Sequence, residues 1–264
     1  MNTLPEAPRA GGAPAGSRNP RSDGAAPETL AEMLEAGCLE LNICVGRDEC
    51  ERLLSYLDLM QRWNRVYNLT AIRDPRAMLV QHVLDSLAIL GWLDAAMAST
   101  IGPDRFSAQA PEPVLLDVGT GAGLPGLVLA IARPTLAVDL VEPVGKKAAF
   151  LRQCVAHFGF SGRVRVHDQR VEAVRLASPP RAIICRAFAS LDDYVAAIRH
   201  LAGPQTLVAA MKGRLGEIEA EGRGLQGGWC IAAITPLVVP WLDAERHLVS
   251  LAAPRPSGDA AQPI

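Results

Sequence analysis

An apolar run over 114–118 passes without a break into Gly119-Thr120-Gly121-Ala122-Gly123-Leu124-Pro125-Gly126, which opens a second apolar stretch over 127–132. A strand, a glycine-rich turn and a helix in that order form the first half of a βαβ unit. A parallel sheet built from such units must be covered by helices on both faces. Glycine supplies positive φ and lets another group approach the backbone closely. The alternation continues along the chain. Short stretches at 137–141, 164–167, 182–185 and 207–211 read as strands, and 146–158 and 192–200 read as helices. Runs at 237–240 and 247–252 read as a closing pair joined by a polar turn. The expected fold is α/β: a doubly wound, Rossmann-like sheet, mostly parallel, with an antiparallel final strand pair.

Before the sheet the period changes to that of helices. Over 48–67, Leu53, Tyr56, Leu57, Met60 and Trp63 recur at three- and four-residue steps, with Asp48 as the expected N-cap. A second helix is predicted from Asp74-Pro75, with proline at its first position. It carries Met78, Val80, Val83, Leu84, Leu87 and Leu90. The expected organisation is a disordered tail over 1–28, rich in Pro, Gly, Ala and Ser, then a helical extension over 29–100. The sheet domain follows over 101–252, entered through a polar linker at 101–112, and 253–264 form a second disordered tail.

The net charge of -2 does not decide for or against nucleic acid. The only lysines are Lys146, Lys147 and Lys212, so a phosphate-facing surface would consist largely of arginine forks. The six cysteines form no C-x-x-C pair and have no histidine at zinc-finger spacing, which predicts reduced thiols and no metal. No signal peptide is evident, and the apolar stretches are broken by Gly, Pro or charge. A cytoplasmic protein without a membrane span is expected.

The loop also constrains the ligand. A lone G-x-G-x-x-G is a weak signal, but here Asp117 precedes the glycines and a second acid, Glu142, closes the next strand. The form D-x-G-x-G-x-G, with Gly119, Gly121 and Gly123, suits S-adenosylmethionine. In that reading the glycines pass under the adenosine and methionine portions, and Asp117 meets the cationic methionyl side. Glu142 accepts the ribose hydroxyls at the carboxyl end of its strand, and it is preferred over Asp139 for that position. A nicotinamide or flavin enzyme does not need Asp117. A P-loop is excluded because no G-K-[ST] follows the glycines.

Further stretches carry a resemblance: Trp63-Asn64-Arg65-Val66-Tyr67-Asn68-Leu69-Thr70, Arg73-Asp74-Pro75, His82-Val83-Leu84-Asp85-Ser86 and Gly145-Lys146-Lys147 leading to Phe150-Leu151-Arg152. To these are added Arg186-Ala187-Phe188-Ala189-Ser190, Lys212-Gly213 and Glu245-Arg246-His247-Leu248. In colinear order from about residue 40 to 252, they resemble the RsmG (GidB) family of small-subunit ribosomal RNA methyltransferases. The resemblance implies a transferase that uses S-adenosylmethionine to form 7-methylguanosine in 16S ribosomal RNA. Its partner would be the 30S subunit or an assembly intermediate, with no DNA and no membrane. It also implies cofactor contacts at Gly119, Leu124, the Val171-Glu172 pair and Arg186.

Arg186 and Lys212 end the fourth and fifth strands and are the expected catalytic residues, holding RNA and positioning the guanine. Guanine N7 is already a lone-pair nucleophile, so proximity and alignment suffice and no general base is needed. Arg62, Arg65, Arg73, Arg76 and Arg246 are candidates for a basic face, with a solvated helix surface as the alternative. Asn68 and Thr70 are expected in loop hydrogen bonds or substrate contact, and His82 and Asp85 as a structural pair three residues apart. Two other functions remain open here: a small-molecule methyltransferase with 30–100 as its lid, and a non-catalytic, cofactor-binding RNA chaperone.

Overall fold

The computed structural model describes residues 27–98 and 114–254. The expectations for the first 26 residues, for the linker at 101–112 and for the tail beyond 254 lie outside them. Three helices come first: α1 (Leu30–Glu40), α2 (Arg47–Tyr67) and the long run α3 (Pro75–Ala98). Thr29 and Glu32 form a reciprocal capping box on α1, each side chain holding the other's backbone N–H. Helix α2 begins two residues earlier than expected. Gly46 occupies its N-cap without a side-chain bond, and Asp48 sits inside the first turn. Asp74 caps α3 as expected, accepting from Ala77 N at 2.8 Å, with Pro75 at the first helical position.

Within α3, Leu79–Leu84 form a π-helical segment. No stretch long and apolar enough to cross a membrane was expected, yet by length and composition alone α3 is one. Two thirds of its most apolar window is buried inside the protein, as in a core helix.

Strands β1 (Val114–Val118), β2 (Ala137–Val141), β3 (Val164–His167), β4 (Ala182–Arg186) and β5 (Leu207–Lys212) pair in parallel. Strand β7 (His247–Ala252) lies antiparallel to β5, and β6 (Cys230–Pro236) lies antiparallel to β7. The order is β3-β2-β1-β4-β5-β7-β6. The chain winds outward from β1 in one direction and returns to β4 to wind in the other, so the switch point lies between β1 and β4.

Helices α4 (Gly126–Ala132), α5 (Gly145–His157), α6 (Leu191–Ile198) and α7 (Leu215–Arg223) complete the layers. The doubly wound expectation is met, with two corrections. The closing pair uses Cys230–Pro236 as its first strand, whereas Leu237 to Pro240 form the turn that follows. Helix α7 had no counterpart in the sequence reading.

Alternate residues of β1 face opposite sides, Leu115 into one apolar cluster and Leu116 into the other. The first cluster joins Leu53, Tyr56 and Leu84 of the N-terminal helices to Leu127 and Phe150 of α4 and α5. All seven residues of α4 are buried. A short helix that is apolar all round needs cover on its outer side as well. Here α2 and the middle of α3 supply it, so the N-terminal helices and the sheet share one core.

Candidate functional site

The carboxyl ends of the parallel strands form one rim. The loop after β1 crosses its centre. Gly119 N and Thr120 N both donate to Val141 O, at 2.9 and 3.1 Å, which ties the loop to the end of β2. Gly119, Gly121 and Gly123 have φ of +69°, +62° and +96°. The glycines of this loop serve two purposes. A Cβ on Gly123 would lie 2.7 Å from Leu127 Cβ, and one on Gly126 would lie 2.7 Å from the Asp117 carboxylate and Leu140, so these two are packing glycines. A Cβ on Gly119 or Gly121 would meet no protein atom within 4 Å. That side of the loop is an open cradle, and its backbone can be approached closely by a ligand.

Glu142, just beyond β2, is almost fully buried. Its carboxylate accepts from Gly121 N and from Val144 N, both at 2.8 Å. The glycine loop and the start of α5 are thus clamped together, and about half of the carboxylate's four lone-pair sites remain for another donor. Asp139 is a different kind of residue. It is buried against β3, with Arg165 at 2.7 and 2.9 Å and His167 Nε2 at 3.0 Å. Burial opposes its ionisation, but the hydrogen bonds from His167 and Arg165 outweigh this and leave its pKa lowered.

Asp117 is not on the open side of the loop. It lies fully buried beneath it, where Oδ2 accepts from Thr120 Oγ1 at 2.5 Å and from Gly126 N at 2.7 Å. Its Oδ1 is buried with no hydrogen-bond partner among the described residues. Burial pushes the carboxyl up to about 6, against the pull of those two donors. Asp117 therefore holds the loop from within and caps the start of α4. Leu124 is likewise turned into the core. Val171 and Glu172 lie on a 3-10 turn (Val171–Ala173) after β3, Val171 buried and Glu172 exposed. Gly119, Glu142 and this turn line the β1-β2-β3 half of the rim.

The other half, on β4 and β5, carries cations. Arg186 Nη1 donates to Gln81 O and to Asp85 Oδ2, both at 2.9 Å. Asp85 Oδ1 accepts from Arg246 Nε at 2.9 Å. One buried carboxylate on α3 thus joins the end of β4 to the segment leading into β7. The expected His82–Asp85 pair is not formed, because His82 Nε2 lies 2.9 Å from Thr70 Oγ1 instead. Thr70 N in turn donates to Asn64 Oδ1 at 2.9 Å. Gln81 lies within the π-helical segment, so the carbonyl that accepts from Arg186 belongs to its wider turn. After Arg186 the chain reverses at Ala187, a non-glycine residue with φ of +61°.

Lys212 is more enclosed than expected of a substrate-edge residue. Its Nζ lies 2.8 and 3.0 Å from the Glu221 carboxylate on α7 and 3.3 Å from Phe188 O. It ties the loop after β4 to α7. Among the arginines, Arg62 pairs with Asp58, Arg73 donates to Asn68 Oδ1, and Arg76 holds the carbonyls of Pro27 and Glu28. Arg65 is exposed and has no partner among the described residues. Sequence reasoning also missed Tyr56, whose OH donates to Ala122 O in the glycine loop at 2.7 Å. Its apolar spacing marked a core position and gave no sign of the hydroxyl's partner.

The two shifted buried groups make a pH prediction. Burial, and then the Arg186 charge, push His82 down to about 4 from 6.5. The unfolded chain therefore takes up a proton more readily between those values. Stability from this group is present above pH 6.5 and is lost towards pH 4, by about 3 kcal/mol. Asp117 has the opposite sign, its contribution being lost as pH rises from 3.8 to about 6. In His82→Asn the stability difference between pH 6.5 and 4, read from urea midpoints, will shift by about 3 kcal/mol towards acid tolerance. Parallel curves for variant and native protein would show that His82 does not titrate this way.

Residues 49–249 match the family described as rRNA small subunit methyltransferase G, GidB. Curated proteins named ribosomal RNA small subunit methyltransferase G are similar over most of their length. That of Cupriavidus pinatubonensis is 44% identical, covering 83% of this chain and 92% of its own. That of Burkholderia pseudomallei is 43% identical, covering 85% and 91%. Among solved structures, magnesium protoporphyrin IX methyltransferase from Synechocystis is similar with a TM-score of 0.49 and 15% identity, over 79% of this chain and 98% of that one.

Proposed function

The chain belongs to the rRNA small subunit methyltransferase G family, and from that premise we propose that it methylates N7 of a guanosine in 16S ribosomal RNA, within the small subunit or an assembly intermediate. The observation that carries this reading is the division of the rim. An open glycine cradle beside a buried acid lies on one side of the switch point, and a guanidinium held by Asp85 lies on the other.

S-adenosylmethionine fits the first half and supplies an electrophilic methyl group on a sulfonium. Gly119 and Gly121 would receive it, since their open side has room that a Cβ would fill. Glu142 would use its remaining lone pairs for the ribose hydroxyls, and the Val171-Glu172 turn would flank the adenine. Asp117 would act indirectly, by fixing the loop.

On the second half Arg186 keeps the donors on Nε and Nη2, which neither Asp85 nor Gln81 O uses. These would orient the guanine or its phosphate. Lys212, committed to Glu221, would position the loop after β4. Nearby histidines are already engaged: His82 with Thr70, His167 with Asp139 and His247 with Gly213 O. That arrangement suits direct attack by N7, which requires no proton to be removed.

The test is labelled methyl transfer into small subunits from cells lacking the protein, followed by mapping of 7-methylguanosine by chemical cleavage. One labelled guanosine in the small-subunit RNA is expected, with a single-turnover rate that shows no titrating base near neutrality. Transfer to a small molecule with none to RNA would overturn the assignment.

A further inference from the structure

Beside the rim, two paired helices carry an aromatic side chain and two of the chain's three lysines at the same end of the pair. Helices α2 and α5 run antiparallel. Ser55 Oγ meets His157 Nε2 at 3.3 Å, and about two turns on, the ring of Trp63 lies 5.6 Å from that of Phe150. Four residues further in each direction, about 6 Å along each helix, are Tyr67 and Lys146. Lys147 lies three residues before Phe150 and so on the same side of α5.

Tyr67 ends α2 and is 42% exposed, yet its ring is not loose: it rests on Trp63 with centroids 5.0 Å apart. Val66 and Val144, next to the aromatic and basic ends of this cluster, are also exposed. Lys146 and Lys147 form no ion pair among the described residues, and Arg65 stands exposed near the end of α2. This surface adjoins the site, since Val144 N donates to the Glu142 carboxylate that clamps the glycine loop.

We propose that Tyr67, backed by Trp63, is a stacking platform for an unpaired base of the substrate RNA, with Lys146 and Lys147 holding the adjoining phosphates. The proposal rests on the RNA reading above. A presented aromatic face flanked by two lysines that form no ion pair among the described residues matches single-stranded RNA, whose bases splay out to stack and whose phosphates demand positive charge. A base pair inside a duplex could not offer its face to Tyr67. The platform would therefore select an unstacked segment next to the reacting guanosine.

The experiment uses the full chain. Binding of a fluorescein-labelled, unstructured oligouridylate is followed by anisotropy, beside methyl transfer to small-subunit RNA. Tyr67→Ala and Tyr67→Leu should each weaken oligonucleotide binding by roughly 5- to 150-fold and raise KM for RNA. Tyr67→Trp should stay close to native. Replacing Lys146 and Lys147 together by alanine should flatten the log–log salt dependence by about 1.4, at about 0.7 per phosphate. Cofactor affinity and melting temperature should be unchanged throughout, which separates loss of contact from loss of fold. If the native protein methylates RNA but Tyr67→Leu binds as it does, stacking is overturned while the RNA reading stands. If Tyr67→Ala impairs only intact subunits and not the oligonucleotide, the surface meets a ribosomal protein, and the proposal is equally overturned. If the native protein neither binds nor methylates RNA, the broader reading fails first.

Discussion

Gly119→Ala will bind S-adenosylmethionine on the order of a hundredfold more weakly, the cost of forcing an extra methyl group into a close contact. Two effects act at this position. At φ of +69° an L-residue is strained by about 1–2 kcal/mol. The new Cβ would also project into the open side of the loop, and the Gly119 N–H bond to Val141 O resists a shift of the backbone. Gly159 separates the two effects. Its φ is +70°, its Cβ position is equally empty, and it lies after α5, at the opposite end of the sheet. Gly159→Ala should carry the same backbone strain and leave cofactor affinity unchanged. Calorimetric titration of both variants decides it, and equal affinities would remove the cradle from the cofactor site.

The largest loss of stability is expected from Asp85→Ala. The Asp85 side chain is 2% exposed and accepts from Arg186 and Arg246. Removing it leaves two guanidinium groups, each about three-quarters buried, facing one another without a counter-charge. Removing one partner of a buried ion pair costs about 3–5 kcal/mol. For a domain of this size that corresponds to a melting temperature lower by roughly 6–20 °C. Asp85→Asn, which keeps the shape and loses the charge, should fall between native and alanine. A melting temperature within a degree or two of native for Asp85→Ala would show that the arginines find other partners.

Asp85 also marks the limit of what the sequence discloses. Strands β1, β2, β4 and β5 were legible because each is a short, mostly apolar run, and β3 because Val164 and Val166 alternate with Arg165 and His167. The glycine loop and Glu142 were legible because a local pattern carries their geometry. Strand β6 was not, since it is an edge strand with no fully buried residue, and the apolar residues after it drew the assignment instead. Helix α7 buries only Ile218 and so lacks an apolar stripe, and the Glu221 partner of Lys212 went unseen with it. Asp85, Arg186 and Arg246 each stood in a recognisable motif. Their convergence joins residues 101 and 161 positions apart, and no local spacing encodes that. Asp117 was placed correctly along the chain, but the direction of its side chain depends on Gly126 and Thr120 folding over it.

The π-helical segment Leu79–Leu84 sets the phase of everything beyond it in α3. Such a segment amounts to an α-helix carrying a surplus residue. Deleting one residue from it would restore ordinary pitch and turn the following helix by about 100°, the angle of one α-helical step. Asp85 would then swing away from both arginines, and Leu87 and Leu90 would leave the core. Loops can absorb an insertion or deletion, but here chain length itself is under constraint. The helix must hold its one extra residue for the amino-terminal layer to stay locked to the strand that carries Arg186.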